Sequence, residues 1–122
     1  KTLAAVLAAG ALLIGGIGSV DAANWYTVGT DSNGITWSID NDSVKKDDKK
    51  AVLDIKAMDY EGYHYIVTEE FNHKKREVKD VKVTLYNPKG EVVKQEQPNK
   101  STRKVEQGTP AYAVYTLIWG DK

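Results

Sequence analysis

The chain has 122 residues with 17 Lys and Arg against 17 Asp and Glu, so it is long enough for one domain and has no net charge with which to attract a polyanion or an anionic bilayer. It contains no cysteine, which removes disulfides, thiolate nucleophiles, Cys-ligated zinc, iron–sulfur clusters and a lipid-modified N-terminal cysteine together. Stability has to come from an ordinary core, and nucleic acid is a poor partner.

The chain opens with Lys1 and Thr2, then an uninterrupted small and apolar run from Leu3 to Ile17, closed by Gly18-Ser19-Val20-Asp21-Ala22-Ala23. This is the shape of a secretory signal peptide. The run falls short of the roughly 20 residues that a membrane-spanning helix needs, and Gly15, Gly16 and Gly18 weaken a helix there. Val20 and Ala22 are the small residues that a signal peptidase requires, which predicts removal of 1–22 and a mature start at Ala23, or at Asn24 if the cut follows Ala23. An uncleaved anchor is the alternative. The expectation is one domain over 23–122, exported to the periplasm, the cell surface or the medium, without a membrane anchor in its mature form.

Trp25 to Thr30 and Ile35 to Asp40 are rich in aromatic and β-branched residues and flank the turn sequence Asp31-Ser32-Asn33-Gly34, which predicts a hairpin. Asn41 to Lys50 reads as a polar connection. Ala51 to Met58 places Ala51, Leu53, Ile55 and Ala57 on one face, and Tyr63 to Phe71 does the same with Tyr63, Tyr65, Val67 and Phe71. Val78 to Asn87 sets Val81, Val83 and Leu85 against Lys82, Thr84 and Tyr86, and Asn87-Pro88-Lys89-Gly90 turns the chain into Glu91 to Glu96. Gln97 to Gly108 reads as an exposed loop. Thr109 suits a helix N-cap, Pro110 the first turn and Gly120 the end, and Ala111, Val114, Leu117 and Ile118 recur at helical spacing. A seventh strand over Val114 to Trp119 is the competing reading. The predicted fold is α+β: a single antiparallel sheet of about six strands in meander order with a C-terminal helix packed on one face. Trp37, Ile39, Leu53, Ile55, Val67, Val83 and Leu85 are the expected core under Val114 and Leu117.

The search for chemistry is largely negative. His64 and His73 lack metal-ligand spacing, and no Gly-x-Ser-x-Gly segment or Gly-rich phosphate loop occurs. Asp31-Ser32-Asn33-Gly34 has its glycine too early for a calcium loop. The carboxylate pairs Asp40/Asp42 and Glu69/Glu70 read as solubility, because no spacing singles one out. No catalytic, metal or cofactor-binding residue is expected, and no cofactor. Two features stand above background: the basic turn His73-Lys74-Lys75-Arg76, and a surplus of Tyr and Trp that one sheet face and one helix cannot hide. His73, Lys74, Lys75, Arg76, Tyr60 and Tyr63 are the candidate partner-binding residues.

The succession Trp25-Tyr26, Asp31-Ser32-Asn33-Gly34, Ile39-Asp40, Ser43-Val44, Tyr86-Asn87-Pro88-Lys89-Gly90-Glu91-Val92-Val93 and Gly108-Thr109-Pro110 before an aromatic helix resembles the surface-adhesin protein E family. The resemblance covers essentially all of 23–122. It implies a small antiparallel sheet with a C-terminal helix, displayed by a bacterium, some relatives binding host matrix proteins. The chain departs from the family in lacking cysteines for a lipid anchor and for a helix–sheet disulfide, and no ligand-contact residue is carried over.

Three function classes follow. The first is a non-catalytic, adhesin-like module that binds a host matrix or envelope protein, with a homodimer left open. The second is a periplasmic small-ligand carrier or enzyme inhibitor with a groove between sheet and helix, which calls for a deep, mostly apolar pocket. The third is an enzyme built on dispersed acids, which calls for a cleft holding two carboxylates with separated pKa values.

Overall fold

A computed structural model describes residues 23–98 and 100–120; the predicted signal peptide lies outside the described residues. Eight strands form one antiparallel sheet: β1 (Trp25–Thr30), β2 (Thr36–Asp40), β3 (Lys45–Lys46), β4 (Lys50–Met58), β5 (His64–Asn72), β6 (Glu77–Tyr86), β7 (Val92–Glu96) and β8 (Arg103–Lys104). Their order is β1-β2-β4-β5-β6-β7, with β3 beside the first residues of β4 and β8 beside the first residues of β6. The long strands β4, β5 and β6 are thus flanked by three short ones on the β4 side, β1, β2 and β3, and by two on the β6 side, β7 and β8. The sheet has two strands more than the periodicity predicts, because two-residue pairings inside polar connections leave no alternating pattern to read.

Three hairpins share one turn chemistry. Asp31, Asp59 and Asn87 each accept hydrogen bonds on a side-chain oxygen from the backbone N–H groups two and four residues on, and each is followed three positions later by glycine. Gly62 shows why glycine is needed: its φ is +99°, and a Cβ there would stand 3.0 Å from Pro88 Cβ of the neighbouring hairpin.

The C-terminal segment is a helix, α1 (Pro110–Trp119), not a seventh strand. Thr109 Oγ1 accepts from Tyr112 N at 3.2 Å, and Gly120 N–H closes the end on Thr116 O. Helical period prevails over the β-branched content because Val114, Tyr115 and Ile118 meet the sheet on one stripe, beside Leu53, Phe71 and Val78. Leu117 lies off that stripe and is 49% exposed, which corrects its expected place in the core. The helix runs from the β1–β2 hairpin to β3 and the β5–β6 turn. At that far end Lys46 Nζ donates to Ile118 O, a cation at the negative helix terminus, and Trp119 Nε1 donates to Asp47 O. No helix among the described residues is long and apolar enough to cross a membrane.

Two further departures shape the site. Ile39, Leu53 and Ile55 are buried as expected, but Trp37, Val67, Val83 and Leu85 are only half-buried, because the helix leaves part of the sheet uncovered. The β5–β6 register slips between Thr68/Lys82 and Glu69/Asp80, so Val81 is the extra residue of a bulge and is turned outward, 42% exposed. The slip places Asp80 on the helix side of the sheet, directly across from Glu69.

Candidate functional site

Between the flank of α1 and the uncovered part of the sheet lies a groove of about 520 Å³. Its walls are largely apolar: Trp37, Ile55, Val67 and Val83 from the sheet, Ala111 and Val114 from the helix. Trp37 is oriented by the first hairpin, where its Nε1 donates to Asp31 Oδ2 at 2.9 Å. That bond, with the N–H groups of Ile35 and Asn33, holds the Asp31 carboxyl below its usual range.

A polar cluster closes the groove on the β6–β8 side. Glu69 is 8% exposed and hydrogen-bonded to the Asp80 carboxyl. Arg103, brought over the start of β6 by β8, donates from Nη2 to Asp80 Oδ1 at 3.0 Å and to Glu69 Oε1 at the longer 3.4 Å. Burial, the bond to Asp80 and the negative charge of Asp80 push Glu69 up to about 9, against the pull of Arg103. Burial also pulls Asp80 upward, but the bond from Glu69 and the guanidinium outweigh it and hold Asp80 below its ordinary value. At neutral pH Glu69 is therefore a neutral acid donating to an ionised Asp80. Glu96 lines the same groove, and Tyr65 Oη donates to its Oε2 at 3.0 Å, which raises the Tyr65 phenol.

Glu69 and Glu70 do not act as a pair, because adjacent strand residues face opposite sides of the sheet. Glu70 meets Lys50 on the other face at 3.5 Å. The signal for Glu69 was its place on the Tyr63-Tyr65-Val67-Glu69-Phe71 face, a single charge among apolar neighbours. Asp80 carried no such signal, since only the bulge turns it inward. Arg103 lies in a stretch whose composition reads as loop.

The structure divides the six candidate partner-binding residues. Tyr60, 89% exposed, and Tyr63 sit on the β4–β5 turn, while His73, Lys74, Lys75 and Arg76 sit on the β5–β6 turn at the other end of β5, roughly 30 Å away at about 3.3 Å per strand residue. They form no single patch. His73 is part of the packing: its ring stacks on Trp119 with centroids 4.3 Å apart, its Nδ1 donates to Asp48 O, and its carbonyl accepts from Tyr115 Oη at 2.8 Å. Lys74 and Lys75 are exposed, and Arg76 lies over the Tyr115 ring. Among the described residues no group of three or more His, Asp or Glu side chains is arranged to hold a metal ion.

Comparison of the chain with protein-family models, with curated proteins and with solved structures gives no match.

Proposed function

We propose that this domain is an exported, non-catalytic binding protein that holds a small amphipathic molecule in the groove between sheet and helix. The observation that carries this reading is the groove itself: about 520 Å³, inside the range of roughly 300–1,000 Å³ usual for ligand sites, apolar along its walls and polar at one side. Export is supported by the signal-like run of residues 1–22. The carboxyl pair meets one requirement of an acid–base enzyme, separated pKa values, but its two members touch. That leaves no room between them for the glycosidic oxygen and water that a carboxylate-pair hydrolase accommodates.

The test is a fluorescence titration of the purified protein with N-phenyl-1-naphthylamine, a neutral apolar probe. Saturable enhancement is expected, and Ala111→Trp, which fills the groove from the first turn of α1, should abolish it. Absence of saturation, or equal binding by the variant, would overturn the reading.

Protein binding, which the likeness to the surface-adhesin protein E family implies, is the second reading. It is favoured by the exposed Tyr60, Tyr63, Val92 and Val93. The close approach of Gly62 to Pro88 brings their two hairpins side by side at one end of the sheet. Alanine at Tyr60 and Tyr63 should speed dissociation of an envelope or matrix partner, and unchanged kinetics would remove this patch.

A further inference from the structure

Building on the groove reading, we infer that the ligand is a cationic amphiphile, with an alkyl body against Trp37, Ile55, Val67 and Val83 and a protonated primary amine that meets Glu69 and Asp80 from the groove side. The polar side of the groove holds two carboxyls in contact but only one guanidinium. Arg103 is shared between them and leans toward Asp80, at 3.0 Å against 3.4 Å for Glu69, so one positive charge serves two carboxyls and Glu69, the less closely held, keeps a proton. An ammonium group entering from the groove can supply the missing charge: the Glu69–Asp80 hydrogen bond breaks and the two carboxyls part around it. Its N–H groups donate to both carboxylates, Glu69 gives its proton to solvent, and the site gains one positive charge as it loses another.

The other groups facing this point agree with that choice. Glu96 from β7 adds a further carboxylate, itself 3.6 Å from Lys94, which lies outside the groove, and Tyr65 from β5 adds a neutral phenol. β2 and β4 contribute Trp37, Ile55 and Ala57, and the helix contributes Pro110, Ala111 and Val114, none of them ionisable. An anionic head would meet Asp80 and Glu96 with the guanidinium already engaged. An alcohol would break the Glu69–Asp80 bond without supplying charge.

The experiment is isothermal titration of the full chain at about neutral pH with decylammonium chloride, decanol and sodium decanoate below their micelle concentrations, in two buffers of different ionisation enthalpy. Decylammonium should bind about tenfold or more tighter than decanoate, a difference of about 1.4 kcal/mol or more, and release close to one proton per ligand. Glu69→Gln, isosteric with the protonated acid, should bind decanol as the parent does but lose the proton release and most of the preference of decylammonium over decanol, while Asp80 and Glu96 still disfavour decanoate. Equal or tighter binding of decanoate, binding of decylammonium without proton release, or an unchanged preference of decylammonium over decanol in Glu69→Gln would overturn this inference. In each of those cases the groove reading survives so long as Ala111→Trp blocks binding. If none of the three probes binds, or Ala111→Trp changes nothing, the groove reading falls with it.

Discussion

Glu69 and Asp80 stand directly opposite each other on β5 and β6, and the two carboxyls hold one proton between them. The proton stays with Glu69, the member farther from the guanidinium of Arg103.

Stability should follow that proton. In the unfolded chain the Glu69 carboxyl ionises near 4.5, and in the fold it is pushed up to about 9. Below the lower value both states hold the proton; between the two values only the folded chain does, so stability falls as pH rises and levels off near the upper value. With at most about 1.4 kcal/mol per pH unit, a loss on the order of 2–3 kcal/mol is expected between about pH 5 and pH 7. Urea midpoints at several pH values read this directly. In Glu69→Gln the decline should flatten, and a parallel pH profile in that variant would remove Glu69 as its source.

Arg103→Met should act in the opposite pH range. Asp80 is held low in the fold, so its contribution is present above the unfolded value and is lost as pH falls through the folded one. Removing the guanidinium raises the folded value and moves that loss to higher pH. Because Arg103 is partly exposed and screened by solvent, about 1–2 kcal/mol is expected at neutral pH, between the worth of a surface pair and that of a buried one. An acid-unfolding midpoint that does not move would show Asp80 to be held low by Glu69 alone.

Leu53 and Leu117 should separate the buried from the exposed stripe of the core region. Leu53 is 1% exposed beneath the helix, and Leu53→Ala should cost about 2–5 kcal/mol. Leu117→Ala should stay within about 0.5 kcal/mol. Comparable losses by thermal melting would mean that the helix is rotated from the orientation described.

Gly62→Ala should cost about 1–3 kcal/mol, from its left-handed backbone together with the approach of Pro88. Gly29→Ala is the control: no neighbour lies within 4 Å of its added Cβ, so its melting temperature should barely change.

Much of the fold was legible because its signals are local. Asp31 and Asn87 announce their turns by chemistry confined to a few residues, and the alternation of Leu53 and Ile55 or of Val67 and Phe71 assigns faces without knowledge of any partner strand. Thr109, Pro110 and Gly120 delimit the helix for the same reason. A groove between sheet and helix could be named as one alternative, but its lining was not legible, because it depends on relationships between segments. The bulge at Val81 is a mismatch between two strands that neither shows alone. The pairing of Arg103 with the start of β6 joins residues far apart in the chain. The half-burial of Trp37, Val67 and Val83 reflects where the helix fails to reach, which periodicity on a single strand cannot report.

The helix is tied down unevenly along its length. Its last turn is held by Lys46, Asp47 and the ring of His73, while Pro110 and Ala111 at its start form the rim of the groove. The polar and stacking contacts of the helix are thus gathered at Trp119, the end far from the groove rim. A tilt of a few degrees there would be magnified over the 10 residues of α1, about 15 Å at a rise of about 1.5 Å each, into a change in aperture at the Pro110 tip. On the groove reading, the girth of a guest would bear first on Pro110 and Ala111 at that tip and last on the packing around Tyr115 and Phe71.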